Sequence, residues 1–323
     1  MNEREALRRL AADLPHAGDD AAVVDGTVIT TDMLHERTDF PPGTTRYTAG
    51  WRAVGASLSD VAAMGADATA AVAVYADETF ATDALDAFVT GAVDVCATVD
   101  AEYVGGDLDT HAEFTTATTA IGSVTDAGTV PRSGARPGDL LCVTGEWGRS
   151  AAALRLFEQS DAVDSADPAA GPSADPGSDP ASAAVIERAN DLFRFTPRVA
   201  DGLALAKRST AMMDSSDGLA RSLHQLAEAS GVGFGLERDR LPVHPAVDDV
   251  ADGPDDRFAL AATFGEDFEL VCTLPAEAFE AVREACPAGL TRVGRVVDID
   301  GDGDDAPVTV DDEPLPDEGY THG

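Results

Sequence analysis

The chain has 323 residues, which is too long for one small hydrophobic core and fits two domains of ordinary size. Its 59 acidic residues outnumber 22 basic ones, the net charge is −37, and Lys207 is the single lysine. A surface this acidic repels nucleic acid and anionic lipid, so both are excluded as partners.

The composition also indicates where the protein works. An excess of acid with almost no lysine is typical of proteins kept in solution by concentrated salt, and it indicates a halophilic cytoplasm. The four cysteines lie far apart without a C-x-x-C pair, so buried free thiols are expected. No apolar signal core and no run of 18 apolar residues is visible, and we expect a soluble cytoplasmic protein.

Apolar periodicity predicts the elements of the first half. In chain order they are a helix at Leu7, Leu10 and Leu14, two strands from Ala21 to Asp32 around a turn at Asp25-Gly26, an amphipathic helix at Val54, Leu58 and Val61, a strand from Ala70 to Tyr75, a helix from Leu85 to Val99 and a strand from Phe114 to Val124. The break at Pro131-Arg132-Ser133-Gly134 then places a domain boundary, which predicts domains at 1–134 and 135–323.

The second half repeats the alternation of strands and helices. Its elements are a strand from Leu140 to Thr144, a glycine turn and a helix at Ala152, Leu154 and Leu156, a helix from Val199 to Ala206, a strand from Ala211 to Met213, a helix at Leu219, Leu223 and Leu226, and a strand, helix and strand from Phe268 to Val297. Residues of about 160–184 are mostly Asp, Ala, Ser, Pro and Gly, which predicts a disordered acidic insertion. The fold class is therefore α/β or α+β.

Acidic residues beside Gly, Ser or Thr close several of the apolar runs. The motifs are Gly18-Asp19-Asp20, Thr30-Thr31-Asp32, Leu58-Ser59-Asp60, Gly105-Gly106-Asp107, Asp214-Ser215-Ser216-Asp217-Gly218 and Gly265-Glu266-Asp267. Carboxylates on strand-end turns are hard oxygen ligands suited to Mg²⁺, and small neighbours let a phosphate approach the backbone. A very acidic chain produces some such turns by chance, since Asp and Gly are ordinary turn residues. Their repetition at strand ends nevertheless predicts a magnesium–nucleotide enzyme.

The familiar nucleotide motifs are missing. The chain has no G-x-x-x-x-G-K-[ST] and no H-R-D, and its one lysine lies outside any glycine loop. A nucleotide enzyme without them must hold phosphates through metal ions, backbone N–H groups and arginine.

Taken together, the motifs resemble the thiamine-monophosphate kinase family, in the superfamily of aminoimidazole ribonucleotide synthetase. Besides the acidic motifs, the anchors are the segment from Leu58 to Ala66, the segment from Arg132 to Asp139, and the continuation from Asp267 to Leu270. The resemblance implies transfer of the γ-phosphate of ATP to thiamine monophosphate, giving thiamine diphosphate. It also implies a homodimer in which the N-terminal domains share a β-barrel and each C-terminal domain is α/β.

The resemblance also implies residue roles. The metal ligands would be Asp20, Thr30, Thr31, Asp32, Asp60, Asp107, Asp214 and Asp217, the ATP contacts Gly106, Asp107, Arg132 and Ser216, and the substrate contacts Asp39, Glu266 and Tyr320. No side chain need act as a base, because the accepting phosphate oxygen is already ionised near neutral pH. Simpler roles exist for some of these residues. Asp214 and Asp217 could cap the following helix, and Arg132 could pair with a surface acid.

Some positions depart from the family pattern. Asp39 stands where the family usually has His, Asp109 stands in place of a base, and the aromatic Trp common near the C-terminus is missing, which leaves Tyr320 to stack on a thiamine ring. Two alternatives therefore stay open. One is another ATP-dependent enzyme of the superfamily, such as a purine-biosynthesis ligase or a phosphate-activating synthetase. The other is a non-catalytic magnesium–nucleotide sensor.

Overall fold

The computed structural model describes residues 9, 14, 16–165, 180–299 and 307–319. The predicted helix at Leu7, Leu10 and Leu14 falls mainly outside these residues. Within the described part, the strands form one five-stranded and one seven-stranded sheet. Among these described residues, no helix has the length and apolar character needed to cross a bilayer.

The first sheet has the strand order β1-β2-β5-β3-β4. Its strands are β1 (Ala22–Val24), β2 (Thr27–His35), β3 (Asp67–Asp77), β4 (Glu102–Thr110) and β5 (Thr115–Ser123). Neighbours are antiparallel except for β3 and β4, which are parallel. Strand β4 was not predicted, because its Gly105-Gly106 pair lowers strand propensity and pairing with β3 overrides that preference.

Three helices accompany this sheet, namely α1 (Glu36–Asp39), α2 (Arg46–Ala63) and α3 (Thr82–Ala97). Helix α2 begins after Thr45, whose hydroxyl accepts a hydrogen bond from the backbone N–H of Thr48. The sequence predicts an amphipathic α2, but the structure buries most of its residues on every side. It does so because α2 lies between the first sheet and the second half of the chain.

The second sheet has the order β12-β11-β8-β10-β6-β9-β7 and is antiparallel except for the pair of β8 and β11. Its strands are β6 (Leu140–Thr144), β7 (Ala211–Asp214), β8 (Gly233–Leu236), β9 (Leu270–Leu274), β10 (Leu290–Val297), β11 (Val308–Val310) and β12 (Glu313–Pro314). The helices are α4 (Arg149–Ser165), α5 (Pro180–Phe193), α6 (Val199–Leu205), α7 (Leu219–Ser230), α8 (Pro254–Ala262) and α9 (Phe279–Arg283).

Two predictions about chain organisation stay predictions. Helices α4 and α5 extend into both ends of the predicted insertion, and residues 166–179 lie outside the described part. The domain boundary predicted at residue 134 falls between the end of β5 at Ser123 and the start of β6 at Leu140.

One hydrophobic core joins the two halves. Its buried members include Leu58 of α2, Leu205 of α6 and Met212 of β7. Helix α6 approaches the end of α2 closely at Gly202, where an added Cβ would lie 2.2 Å from the carbonyl oxygen of Ala62. This contact fixes the end of α2 against the second half, and it is the end of α2 that carries Asp60.

Candidate metal and nucleotide site

Three predicted metal ligands meet between the two halves. Asp20 lies in the turn before β1, Asp60 in the last turn of α2, and Asp214 at the end of β7. Each offers a carboxylate oxygen, and these three oxygens lie within 4.8 Å of one another. Among the described residues, no other group of three acidic, histidine or cysteine side chains meets this criterion. Ligands so far apart in sequence are thus brought together by the packing of α2 against β7.

Without a cation, the burial of three ionised carboxylates so close together destabilises the folded state. The desolvation of Asp60 raises its pKa well above the ordinary value, and the charges of Asp32, Asp214 and Asp20 add to the effect. Burial likewise raises the pKa of Asp214, with repulsion from Asp20 next in size. One oxygen of Asp214, Oδ2, is buried and accepts no hydrogen bond. A buried acceptor without a donor is the place for a cation.

Arg132 lies at the rim of the cluster. Its guanidinium donates two hydrogen bonds to Asp20, at 2.8 Å and 3.2 Å. Burial works against the charge of Arg132, but the carboxylates of Asp20, Asp214 and Asp60 outweigh it and raise the pKa of the guanidinium. The partner of Arg132 is therefore a member of the cluster and not a surface acid.

Strand β2 presents its predicted ligands on opposite faces. The hydroxyl of Thr30 donates to Asp60 at 2.5 Å, and the carboxylate of Asp32 accepts from Ser57 at 2.8 Å. Burial raises the pKa of Asp32, and the hydrogen bond from Ser57 lowers it. Thr31 faces the other way and donates to the carbonyl of Thr118 at 2.8 Å. The structure thus brings Thr30 and Asp32 to the cluster, whereas the Thr31 side chain lies on the outer face.

The turn between β7 and α7 carries Ser216 and Asp217. Helix α7 begins directly after Gly218, so neither Asp214 nor Asp217 occupies its N-cap position. The carbonyl of Ser216 accepts a hydrogen bond from the backbone N–H of Glu266 at 2.6 Å. Asp217 is half-buried in this turn, outside the group of three converging carboxylates.

Gly106 and Asp107 lie far from the cluster within one chain. The register places Asp32 of β2, Thr118 of β5, Ala73 of β3 and Gly106 of β4 in one row across the sheet. Three strand spacings separate β2 from β4, which is roughly 14 Å. Helix α2 covers the middle of this row, since Thr118 donates to the carbonyl of Ala53. Asp107 and Asp32 of the same chain therefore cannot share an ion.

The three predicted substrate contacts have different outcomes. Asp39 is buried at the end of α1, and its Oδ2 accepts hydrogen bonds from the His35 N–H at 2.6 Å and the Thr38 hydroxyl at 2.9 Å. The Glu266 carboxylate forms a buried ion pair with Arg52. Tyr320 lies outside the described residues.

Sequence reasoning missed Arg52. It is 2% exposed and lies in the middle of α2. The sequence does single out Arg52, because Arg52 and Asp60 are the only charged residues between Tyr47 and Ala63. A charge in an otherwise apolar helix is expected to have a specific partner.

The donor set fits a hard divalent cation. Asp20, Asp60 and Asp214 supply carboxylate oxygens from both halves of the chain, and Mg²⁺ prefers such oxygens. The buried Oδ2 of Asp214 points to the same ligand class. Asp20, Asp60 and Asp214 would hold the ion, and Asp32 is a further carboxylate whose charge acts on Asp60.

The raised pKa values predict a pH-dependent stability that Mg²⁺ removes. An unfolded aspartate loses its proton near pH 3.9, while folded Asp60 and Asp214 retain theirs to higher pH. Above about pH 4 the metal-free folded state binds more protons than the unfolded state, so its free energy of unfolding falls as pH rises. Calorimetry at constant salt is expected to show this fall in EDTA and a smaller fall with Mg²⁺. Equal pH slopes with and without Mg²⁺ would contradict the assignment.

Comparison with known proteins adds the family context. Residues 18–124 match the family model described as AIR synthase related protein, N-terminal domain, and residues 136–303 match AIR synthase related protein, C-terminal domain. Thiamine-monophosphate kinase of Halobacterium salinarum is 54% identical over 322 residues, which cover 100% of each chain.

Solved structures show the same similarity. Thiamine-monophosphate kinase from Stenotrophomonas maltophilia superposes with a TM-score of 0.76 and 29% identity, covering 96% of this chain and 95% of that one. The structure of "AaThiL complexed with AMPPCP and TMP" superposes with a TM-score of 0.79 and 25% identity, covering 100% of this chain and 99% of that one.

Proposed function

The chain belongs to the thiamine-monophosphate kinase family of AIR synthase related proteins, and we propose that it uses ATP to phosphorylate thiamine monophosphate to thiamine diphosphate. The family resemblance predicted from the motifs is confirmed, and so is the two-domain α/β fold class predicted from chain length, the alternation of strands and helices, and that resemblance. The protein is a kinase, with ATP as co-substrate, and its acidic composition is of the halophilic type.

One observation links the proposed kinase activity to the aspartate cluster. The cluster of Asp20, Asp60 and Asp214 has the donor set and spacing that could hold a metal ion, and a solved relative of the same fold is described as a complex with AMPPCP and TMP. AMPPCP is a nonhydrolysable ATP analogue, so that complex pairs a nucleotide with thiamine monophosphate. Two such anions repel each other unless positive charge lies between them.

Mg²⁺ is the cation we propose at this cluster, where it would neutralise phosphate charge and align the reacting oxygens. The roles of the chain follow from its geometry. Asp20, Asp60 and Asp214 would bind the ion from both sides of the interdomain contact and so hold the two halves around the reactants. Arg132 pairs with Asp20, and its remaining guanidinium N–H groups would be the donors to the ATP phosphates.

A direct assay separates the family activity from its rivals. Radiolabelled ATP is supplied with thiamine monophosphate or with formylglycinamidine ribonucleotide, in high salt and Mg²⁺. Label transferred to thiamine diphosphate supports the proposal. Turnover with the ribonucleotide alone would show a ligase of the same superfamily. Tight nucleotide binding without any phosphate transfer would show a non-catalytic sensor. This outcome is worth testing because Asp39 and Asp109 depart from the family pattern.

The outer face of the first sheet supports the proposed homodimer. Apolar side chains on the outer face of β2, β3 and β4 remain solvent-exposed; they are Ile29, Met33, Val72, Val74 and Val104. An apolar sheet face of this kind is typical of a protein–protein interface, and a second copy offers a self-complementary surface. Two such faces packed together would form the shared barrel implied by the family.

The dimer would also explain Asp107. Strand β1 pairs only with Thr27–Ile29, so within the described part of the chain the edge of β2 from Thr30 onward has no strand beside it. The opposite edge of the sheet is β4, which carries Asp107. If β4 of one copy lies along β2 of the other, the partner's Asp107 reaches Thr31 and Asp32.

A groove beside β4 is the proposed place for the nucleotide base. It has a volume of about 850 Å³ between β4 and α3, and Phe88, Val89 and Tyr103 line it together with Gly106 and Asp107. Apolar and aromatic walls with a few polar groups suit a purine ring. Glycine is required at Gly106 by the packing of β4 against β3, since an added Cβ would lie 1.7 Å from the carbonyl oxygen of Ala73.

The remaining assignments are parts of the same proposal. Asp217 and Ser216 would contact the ion and ATP from the turn after β7, and Thr31 would contribute through its place on β2. Asp39, Glu266 and Tyr320 would face thiamine monophosphate. We also propose that the reaction takes place in the cytoplasm, where ATP is available.

A further inference from the structure

Arg52 connects helix α2 of the first half to three segments of the second half. Its guanidinium donates to the Glu266 carboxylate, to the Phe193 carbonyl at 2.5 Å and to the Ser150 hydroxyl at 3.5 Å. It also lies over the Phe193 ring, 3.6 Å from the centroid. The side chain is thus fixed in orientation by several contacts of different kinds, all of them across the interdomain contact.

Neighbouring residues strengthen the same contact. The indole N–H of Trp51 donates to the Phe195 carbonyl at 2.5 Å. An added Cβ at Gly55 would lie 3.0 Å from the Phe195 ring, so a small residue is needed there. The Phe195 ring stacks on Phe268 with centroids 4.3 Å apart. The middle of α2 is therefore packed against the segment that contains Glu266.

Glu266 is in turn joined to the turn that carries the second-half ligands. Its backbone has a φ of 65°, in the left-handed region, and its N–H donates to the carbonyl of Ser216 at 2.6 Å. Phe268, with a φ of 53°, donates through its N–H to the carbonyl of Ser215 at 3.1 Å. A left-handed backbone at non-glycine residues persists only where surrounding contacts hold it. The contacts with Arg52 and the Ser215-Ser216 turn provide that constraint.

Arg52 and Asp60 lie on the same rigid helix, about 12 Å apart along its axis. Asp60 must meet Asp214, which precedes the Ser215-Ser216 turn. We infer that Arg52 is a positioning residue: through Glu266 it sets the placement of the Asp214 turn relative to Asp60 and so assembles the cation site from two halves. This inference rests on the proposed function of that site and adds a residue outside the metal and substrate contacts.

Arginine is needed for this role and lysine cannot replace it. A guanidinium can serve the Glu266 carboxylate, two further acceptors and an aromatic face at once, because its donors are fixed in one plane. A lysine keeps the charge near Glu266 but loses the planar stacking and most of the hydrogen bonds. The Asp214 turn would then shift relative to α2 while the ion pair partly survives.

The test compares Arg52→Lys with Arg46→Lys. Arg46 lies on the same helix, pairs with Glu36 and Asp77 and stacks on Phe114 at 3.9 Å, and these three partners belong to the first half. For each variant we measure the Mg²⁺ concentration at half-maximal thermal stabilisation, without nucleotide, and then kcat well below the melting temperature. Arg52→Lys is expected to raise the Mg²⁺ midpoint about tenfold and to lower kcat by about 10- to 100-fold, since small displacements of reacting groups carry such costs.

The control and the outcomes separate the possibilities. Arg46→Lys is expected to lower the melting temperature while leaving the Mg²⁺ midpoint and kcat within about twofold of wild type. The inference is overturned if Arg52→Lys shows the same pattern as Arg46→Lys, because Arg52 then only stabilises the fold. A wild-type protein without thiamine-monophosphate-dependent turnover would instead defeat the proposed function, and the Mg²⁺ midpoints would still decide the role of Arg52.

Discussion

Replacing Asp60 with asparagine is expected to lower turnover roughly a thousandfold, because a bound cation supplies several kcal/mol of charge stabilisation and each 1.4 kcal/mol is about tenfold in rate. The same change should raise the melting temperature in EDTA. Desolvation and repulsion from Asp32, Asp214 and Asp20 oppose the ionised carboxylate, and an amide removes both effects. Asparagine can still accept the hydrogen bond from Thr30. Activity and metal-free stability are therefore expected to change in opposite directions.

A matched control is available at Asp139, which is also buried but lies outside the cluster. Its Oδ2 accepts hydrogen bonds from the Arg136 N–H at 3.0 Å and from the Thr210 hydroxyl at 2.7 Å. Asp139→Asn is expected to lower the melting temperature with little change in kcat, since it weakens local hydrogen bonds alone. Calorimetry in EDTA and in Mg²⁺, with initial rates, measures both proteins. An Asp60→Asn protein with wild-type rates would remove Asp60 from the metal site.

Most element positions could be predicted from apolar periodicity, and the misses have physical causes. Strand β4 was missed because Gly105 and Gly106 weaken its local signal, and only pairing with β3 makes it a strand. Helix α2 was predicted to be half-exposed. Its small residues, such as Gly50 and Gly55, instead allow neighbours to approach on several sides. Periodicity reports one buried face and does not reveal that a second layer covers the other.

The candidate site was predictable in its residue types but not in its geometry. Strand-end aspartates indicate oxygen ligands, yet nothing in their spacing shows that Asp20, Asp60 and Asp214 converge while Asp107 stays apart. The strand order creates that separation, and strand order is a long-range property. Family resemblance supplied the list of ligands. The structure adds that Asp107 lies too far from Asp32 within one chain for both to bind the same ion, and we propose that a second copy supplies Asp107.

Mixed dimers test this last conclusion. Asp60→Asn and Asp107→Asn proteins should each be nearly inactive alone, because every site lacks one ligand. Co-expressed with different tags and purified as the heterodimer, they should recover about half of the wild-type activity per dimer, since one of two symmetric sites then has Asp60 from one copy and Asp107 from the other. Light scattering of the purified species, with initial rates, checks both the dimer and its activity.

The arrangement of the sheet makes the outcomes distinguishable. If Asp107 acted within its own chain, every site of the heterodimer would retain one substitution and the mixture would stay inactive. The sheet order opposes that result, because two strands, β5 and β3, and helix α2 separate Asp107 from Asp32 in one chain. A Met33→Asp protein gives an independent control, since a charge on the exposed outer face should leave the fold intact and prevent two faces from packing. A monomeric Met33→Asp protein with full activity would exclude a shared site.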